Sequence, residues 1–305
     1  MVKSVFFAAI YMATLCAIPL EAQSHMPEPV VNLGDTSFLD GIGGPGLLVE
    51  EIGDGSHSGR VEDSDGHAIA GAPAINSLSG LTHIAWLSNR RMIGAWYGVE
   101  VVGVAAHVNP GANGVAAGWG DTTVSPFILQ WNEQKVGNIR IDQRVVLDFD
   151  LPTGEYQLDS NVNLSSHAFT VHPYYAITAF PRKNIETSWR IHYLWNGTND
   201  APPTDTRSLT TQAGQAIHFN ATTGYGLPHG LWVGANGYLL KQVTAPRVNG
   251  QSVANSPEQV GAIGPGAVWA KKRFLLYANA YHEFGAENRP EGNKIVLRIQ
   301  WILGK

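Results

Sequence analysis

"NIRIDQRVVLDFD", residues 138–150, decides the fold. Read with a period of two, Ile139, Ile141, Val145, Leu147 and Phe149 share one face. Arg140, Asp142, Arg144, Asp148 and Asp150 share the other, and Gln143 and Val146 are out of place. A helix would rotate these sets past each other, whereas successive side chains of a strand point to opposite faces. The segment is a strand. "NIETSWRIHYLWN", residues 184–196, repeats the scheme, with Ile185, Trp189, Ile191, Tyr193 and Trp195 opposing Glu186, Ser188, Arg190 and His192. So does the end of the chain, where Ile295, Leu297, Ile299, Trp301 and Leu303 oppose Lys294, Arg298 and Gln300.

These strands are long, at roughly 10–14 residues against a usual soluble strand of about 5–6. A tilted strand needs about 9–11 residues to cross a bilayer. Short and long connections also take turns. The short ones fall near 88 ("SNRR"), 132 ("NEQK"), 181 ("PRKN"), 227 ("LPHG") and 270 ("AKK"). The long ones cover about 53–79, 107–120, 151–164, 196–208, 244–257 and 285–293. This rhythm predicts an all-β fold: a single transmembrane antiparallel up-and-down β-barrel of about 12 strands, outer-membrane type, with both termini on the side of the short turns.

A soluble sandwich would have to bury one of the two faces, and the charged face would be a costly core. In a membrane barrel the charges line the lumen instead. The expected lumen set is Arg140, Asp142, Arg144, Asp148, Glu186, Arg190, His192, Glu283, Lys294 and Arg298. Ile139, Leu147, Trp189, Ile191, Phe274, Leu276, Leu297 and Ile299 are expected to face lipid. Trp131, Phe149, Phe180, Trp195 and Trp301, near strand ends, suit interfacial girdles. Pro173 falls inside a strand and predicts a bulge or an edge-like irregularity, because it cannot donate to the ladder. Gly234 and Gly237 are further places where a ladder could weaken. Residues 210–223 alternate too poorly for their facing to be read.

The ends set the compartment. Lys3 precedes an apolar run over residues 5–19, and Ala22 and Ser24 supply the small residues of a signal-peptidase site. The expected organisation is a signal peptide over 1–24, cleaved after Ser24, then a periplasmic segment over 25–45, the barrel over 46–303 and a tail of 304–305. With Pro27, Pro29 and Pro45, the stretch before the barrel is long enough to enter the lumen as a plug. The single cysteine, Cys16, lies in the leader, so no disulfide supports the mature chain. A net charge of −5 gives no electrostatic reason to expect nucleic acid as a partner. Membrane lipid and small solutes are the partners this organisation suggests, and the sequence sets no oligomeric state.

Motifs for chemistry are sparse. "GIGGPGLLVEE", residues 41–51, carries the spacing G-x-G-x-x-G, but a polar, turn-rich stretch precedes it and no helical period follows. It reads as a glycine-rich entry to a strand rather than a dinucleotide loop. Eleven histidines are present, yet their spacing specifies no metal site. His167 and His172, five apart, would face oppositely on one strand; His25, His57 and His67 fall in the N-terminal tail and first long loop. His192, beside Arg190, is the best candidate for a ligand contact. No G-x-S-x-G elbow occurs, and the adjacent Ser166 and His167 would point apart, so no catalytic set and no cofactor are expected. The Asn-x-Ser/Thr triplets at Asn163, Asn196 and Asn220 read as turn and loop residues.

"RVVLDFDLPTGEY", "HPYYAITAF", "LWVGANGYLLKQVT" and "EQVGAIGPGAVW" resemble the meta-pathway phenol-degradation family of outer-membrane proteins, over roughly residues 80–303. That family occurs as transporters in aromatic-degradation gene clusters. The resemblance implies a non-enzymatic barrel through which small hydrophobic, aromatic-type compounds enter by passive diffusion. The alternatives are an outer-membrane enzyme acting on lipid and a structural or surface-binding barrel. Outer-membrane barrels usually end on an aromatic residue, whereas here Trp301 is followed by Ile302, Leu303, Gly304 and Lys305.

Overall fold

The computed structural model describes residues 31–111, 114–160, 162–204 and 207–303. The leader and its cleavage site lie outside the described residues. Twelve long strands follow one another: β1 (Gly46–Val61), β2 (Ile75–Met92), β3 (Ala95–Asn109), β4 (Thr122–Val136), β5 (Ile139–Leu151) and β6 (Thr170–Arg182). They continue as β7 (Ile185–Asn196), β8 (Ala216–Gly226), β9 (Leu231–Gln242), β10 (Gln259–Lys271), β11 (Phe274–Glu287) and β12 (Pro290–Leu303). Each is antiparallel to its chain neighbours, and β1 pairs with β12 from Leu47↔Leu303 to Val61↔Pro290. The sheet is a closed barrel without an edge, the form in which strands can satisfy every backbone group inside lipid.

The two-residue pattern sorts the faces. Along β7, Glu186, Ser188, Arg190, His192 and Leu194 are buried, while Trp189, Ile191, Tyr193 and Trp195 are exposed on the outside. Buried polar residues outnumber buried apolar ones, the reverse of a soluble core. This is an outer-membrane β-barrel.

Both ends of the barrel chain lie with the tight turns. At residues 93–94 the φ angles are both positive, 54° at Ile93 and 76° at Gly94, as a two-residue I′ hairpin requires. Hairpin pairing carries several strands past the short connections read from sequence: β2 runs to Met92, β4 to Val136 and β10 to Lys271. At the other end, a four-residue strand, Ala116–Trp119, folds back on β3. Thr211–Gln212, Arg247–Val248 and Gln251–Ser252 form a small sheet tying two long connections together.

Five expectations need correction. The last connection is not long: β11 and β12 are joined by residues 288–289 alone, because β12 already pairs with β1 at Pro290. Asn220 is no turn or loop residue: it lies mid-strand in β8, buried on the inward face. At Pro173 the expected irregularity is a gap and not a bulge, the β6–β7 ladder skipping from Val171↔Trp195 to Tyr174↔His192 with its register unchanged. Gly234 and Gly237 weaken nothing, since both are paired on either side, with Gly224 and Gly266 and with Ala221 and Ile263. Phe180 is no girdle residue: it points inward, where the Arg140 guanidinium lies 3.8 Å from its ring centroid.

Candidate functional site: the occupied lumen

The segment before β1 runs inside the barrel. Residues 33–38, Asp40 and Gly41 are buried, and Phe38 is packed with Val268, Leu275 and Tyr277. This strap is bonded to strands around the wall. Asn220 of β8 accepts from Gly34 N–H at 2.9 Å and donates to Asn32 and Thr36 at 2.7 and 2.8 Å. Thr178 of β6 accepts from Gly41 N–H at 2.8 Å, and Gln130 of β4 donates to Gly41 O at 2.8 Å. On the far side, Tyr281 of β11 donates to Gly34 O at 2.8 Å. Lys294 of β12 donates to Leu33 O at 2.9 Å and to Asp35 Oδ1 at 2.8 Å.

The strongest anchor is electrostatic. Arg190 donates from Nε and Nη2 to the two oxygens of Asp40, both at 2.7 Å, and Arg144 adds a bond at 3.4 Å. Such a two-pronged pair fixes direction as well as distance. Burial by itself would raise the Asp40 carboxyl, but Arg190 and Arg144 outweigh it and hold the group below its ordinary 3.8. For Asp35, burial prevails over Lys294, with Asp54 adding to it, and the group is raised.

Gly41 explains the glycine spacing. A Cβ at this position would meet Thr178 N at 2.3 Å and Asp142 O at 2.5 Å, both backbone atoms. The glycine is needed so that the strap can lie flat against β5 and β6, not to cradle a phosphate.

Beside the strap lies a second buried network that sequence reading missed. His83 of β2 meets Glu50 of β1 at 2.5 Å through Nδ1 and Glu100 of β3 at 3.1 Å through Nε2. Tyr174 donates to Glu100 at 3.2 Å, and Arg298 lies 3.7 Å from Glu50 and 3.6 Å from the Tyr277 ring centroid. His83 and Glu100 are each the single ionisable residue of a largely apolar run ("LTHIAWL", "GVEVVGV"), which was the signal available.

Three histidines also converge. His172 (β6), His192 (β7) and His218 (β8) are all buried, and their ligand nitrogens lie within 4.8 Å of one another. His167 does not share a strand with His172; it lies in the connection before β6, stacked on Tyr156 with ring centroids 4.5 Å apart.

Of the sequence-selected lumen residues, Asp142, Arg144, Asp148, Glu186, Arg190, His192 and Arg298 are buried inside. Arg144 and Arg190 meet at Asp40, and Lys294 holds the strap. Glu283 is half-buried and accepts from Tyr238 at 2.7 Å. Asp148 is bonded to Ser125, and Glu186 accepts from Ser188 at 2.7 Å. Arg140 sits at the mouth near the short turns, its side chain 43% exposed, with Nε 3.3 Å from Asp142. Ile139, Trp189, Ile191, Leu276 and Leu297 are exposed outside, and Leu147, Phe274 and Ile299 are half-buried.

An outer membrane channel from Pseudomonas putida F1 shares this fold, with a TM-score of 0.76 at 14% identity over 90% of this chain and 100% of that one. The transport unit of the autotransporter AIDA-I from Escherichia coli is a more distant likeness, with a TM-score of 0.50 at 8% identity over 93% and 96% of the two chains. No curated protein matches the chain in sequence. The family described as "Putative MetA-pathway of phenol degradation" matches residues 58–299, most of the chain, and the protein belongs to that family.

Proposed function

We propose that this protein is an outer-membrane channel through which small hydrophobic, aromatic-type compounds pass by diffusion, with its short turns facing the periplasm and its strap in the lumen. Its leader is removed after Ser24 on export. The observation that carries the reading is a lumen filled by the strap and by charged side chains, with no covalent tie between them. A porin for hydrophilic solutes works through a water-filled lumen. A compound soluble in lipid needs instead a protected path that opens when a non-covalent strap shifts. Family membership and the likeness to the P. putida channel support the same direction.

A lipid-acting enzyme would need a serine held by a histidine base. Here Ser166 Oγ is within 3.0 Å of Asp121 and 3.1 Å of Ala168 O, while His167 Nδ1 meets Asn199 at 3.3 Å. That arrangement favours the channel. Proteoliposomes test it: those with the full chain should take up a labelled monoaromatic compound faster than empty ones while staying closed to sugars. Equal aromatic uptake with and without protein would overturn the proposal.

A further inference from the structure

The three inward histidines form a cluster of their own beside the strap. His192 and His218 are direct cross-strand partners, with rings stacked at a centroid distance of 4.2 Å and an interplanar angle of 12°. His172 lies across β7 from His218, with its Nε2 3.0 Å from His218 Nε2. Asp150 Oδ2 stands 3.3 Å from His172 Nδ1, which favours the proton on that nitrogen and leaves the Nε2 lone pair facing His218. Both ring nitrogens of His192 are buried with no hydrogen-bond partner among the described residues. A buried imidazole with neither nitrogen satisfied calls for an explanation.

We propose that His172, His192 and His218 form a three-imidazole site for a divalent transition-metal ion, with zinc the best match. Three neutral nitrogen donors suit zinc, copper and nickel far better than the hard cations, which take oxygen. Bonds of about 2.0–2.1 Å in a tetrahedral site place donor nitrogens about 3.3 Å apart. The ligand atoms already lie within 4.8 Å of one another, and the stacked His192 and His218 rings must tilt toward each other for both to meet one ion. Asp150 stands beside the His172 ring as an outer carboxylate, and Thr123 in turn donates to its Oδ1 at 2.6 Å. The ion gives His192 a partner and ties β6, β7 and β8 together. Its fourth position is left for water or another donor. Asn220, next but one to His218 on the inward face, is bonded to Asn32 and Thr36, so the strap borders the site.

The test uses the full chain folded in detergent, stripped with a chelator and then given Zn²⁺ alone. His67→Ala is included throughout, because Asp63, Asp65 and His67 form an exposed cluster that could hold zinc on its own. After desalting, one zinc per folded chain should remain by mass spectrometry. His192→Gln and His218→Gln, each showing the heat-modifiable band of a folded barrel, should bind at least tenfold more weakly. Folded protein that keeps no zinc, or variants that keep as much as the parent, would overturn the site and point to three neutral imidazoles sharing a proton. If the variants fail to fold, the parent chain with Co²⁺ decides. Intense visible bands of four-coordinate cobalt support the site, and weak or absent bands contradict it. The outcome is independent of which solute the barrel carries.

Discussion

Arg190 and Asp40, 150 residues apart in the chain, are joined by two hydrogen bonds of 2.7 Å inside the barrel. That pair links the wall at β7 to a segment preceding the first strand, beside the bonds that Asn220, Thr178, Tyr281 and Lys294 make to the same segment.

Asp40→Ala should loosen the strap. Removing one partner of a buried ion pair costs about 3–5 kcal/mol, because the other charge is left unmatched. The expected result is larger single-channel conductance in planar bilayers and faster protease cleavage between residues 31 and 45. Arg190→Ala combined with Asp40→Ala should cost less than the sum of the two. Additive effects would show that the pair does not couple strap to wall.

Acid should act through the same group. The folded-state value of Asp40 is depressed, so its contribution is fully present above the unfolded value of about 3.8. It is lost as pH falls through the lower folded value. Conductance that is flat from pH 5 to 8 and rises only below about pH 3.8 is expected, and Asp40→Asn should show the open behaviour already at neutral pH. A rise centred near pH 6 would assign the response to another group.

Gly41→Ala tests whether the strap must lie against backbone. The added methyl collides with Thr178 N and Asp142 O, which cannot rotate away. Overpacking of this kind costs about 1–3 kcal/mol. The barrel should still assemble, as judged by its heat-modifiable band, while the strap becomes accessible to protease. Unchanged protection would mean that the strap reaches its place by another route.

Neighbouring positions on β7 should respond in opposite ways. Ile191 is 45% exposed on the outside and Arg190 only 7% exposed within. An arginine facing the bilayer midplane costs about 2–4 kcal/mol, so Ile191→Arg should impair folding into lipid vesicles. Arg190→Ile takes its cost at the strap and not at the lipid face, so it should still insert and should alter permeation. The reverse pattern would invert the assignment of the two faces.

The alternation in residues 138–150 and 184–196 made the strands legible because one face meets lipid and the other does not. β8 was illegible for the same reason. Its inward Asn220, Thr222 and Gly224 oppose Ala221 and Thr223, which gives little contrast in polarity. Residues 285–293, "GAENRPEGN", are rich in turn formers, yet pairing with flanking strands holds most of them in β11 and β12. The partners inside the lumen could not be read at all. His172, His192 and His218 are brought together by the register of three strands, and Asp40 meets Arg190 only because the chain returns through the barrel it has built. Local spacing carries no trace of either.

The central claim is passage of small hydrophobic compounds across the outer membrane, and the initial rate of uptake tests it most directly. Cells with their own copy deleted, either complemented with this chain or carrying an empty vector, would be given a labelled monoaromatic compound at a concentration where entry limits its use. The account predicts a severalfold faster initial rate in the complemented cells. Identical rates for every aromatic compound tried, with the folded barrel present in the outer membrane, would contradict it.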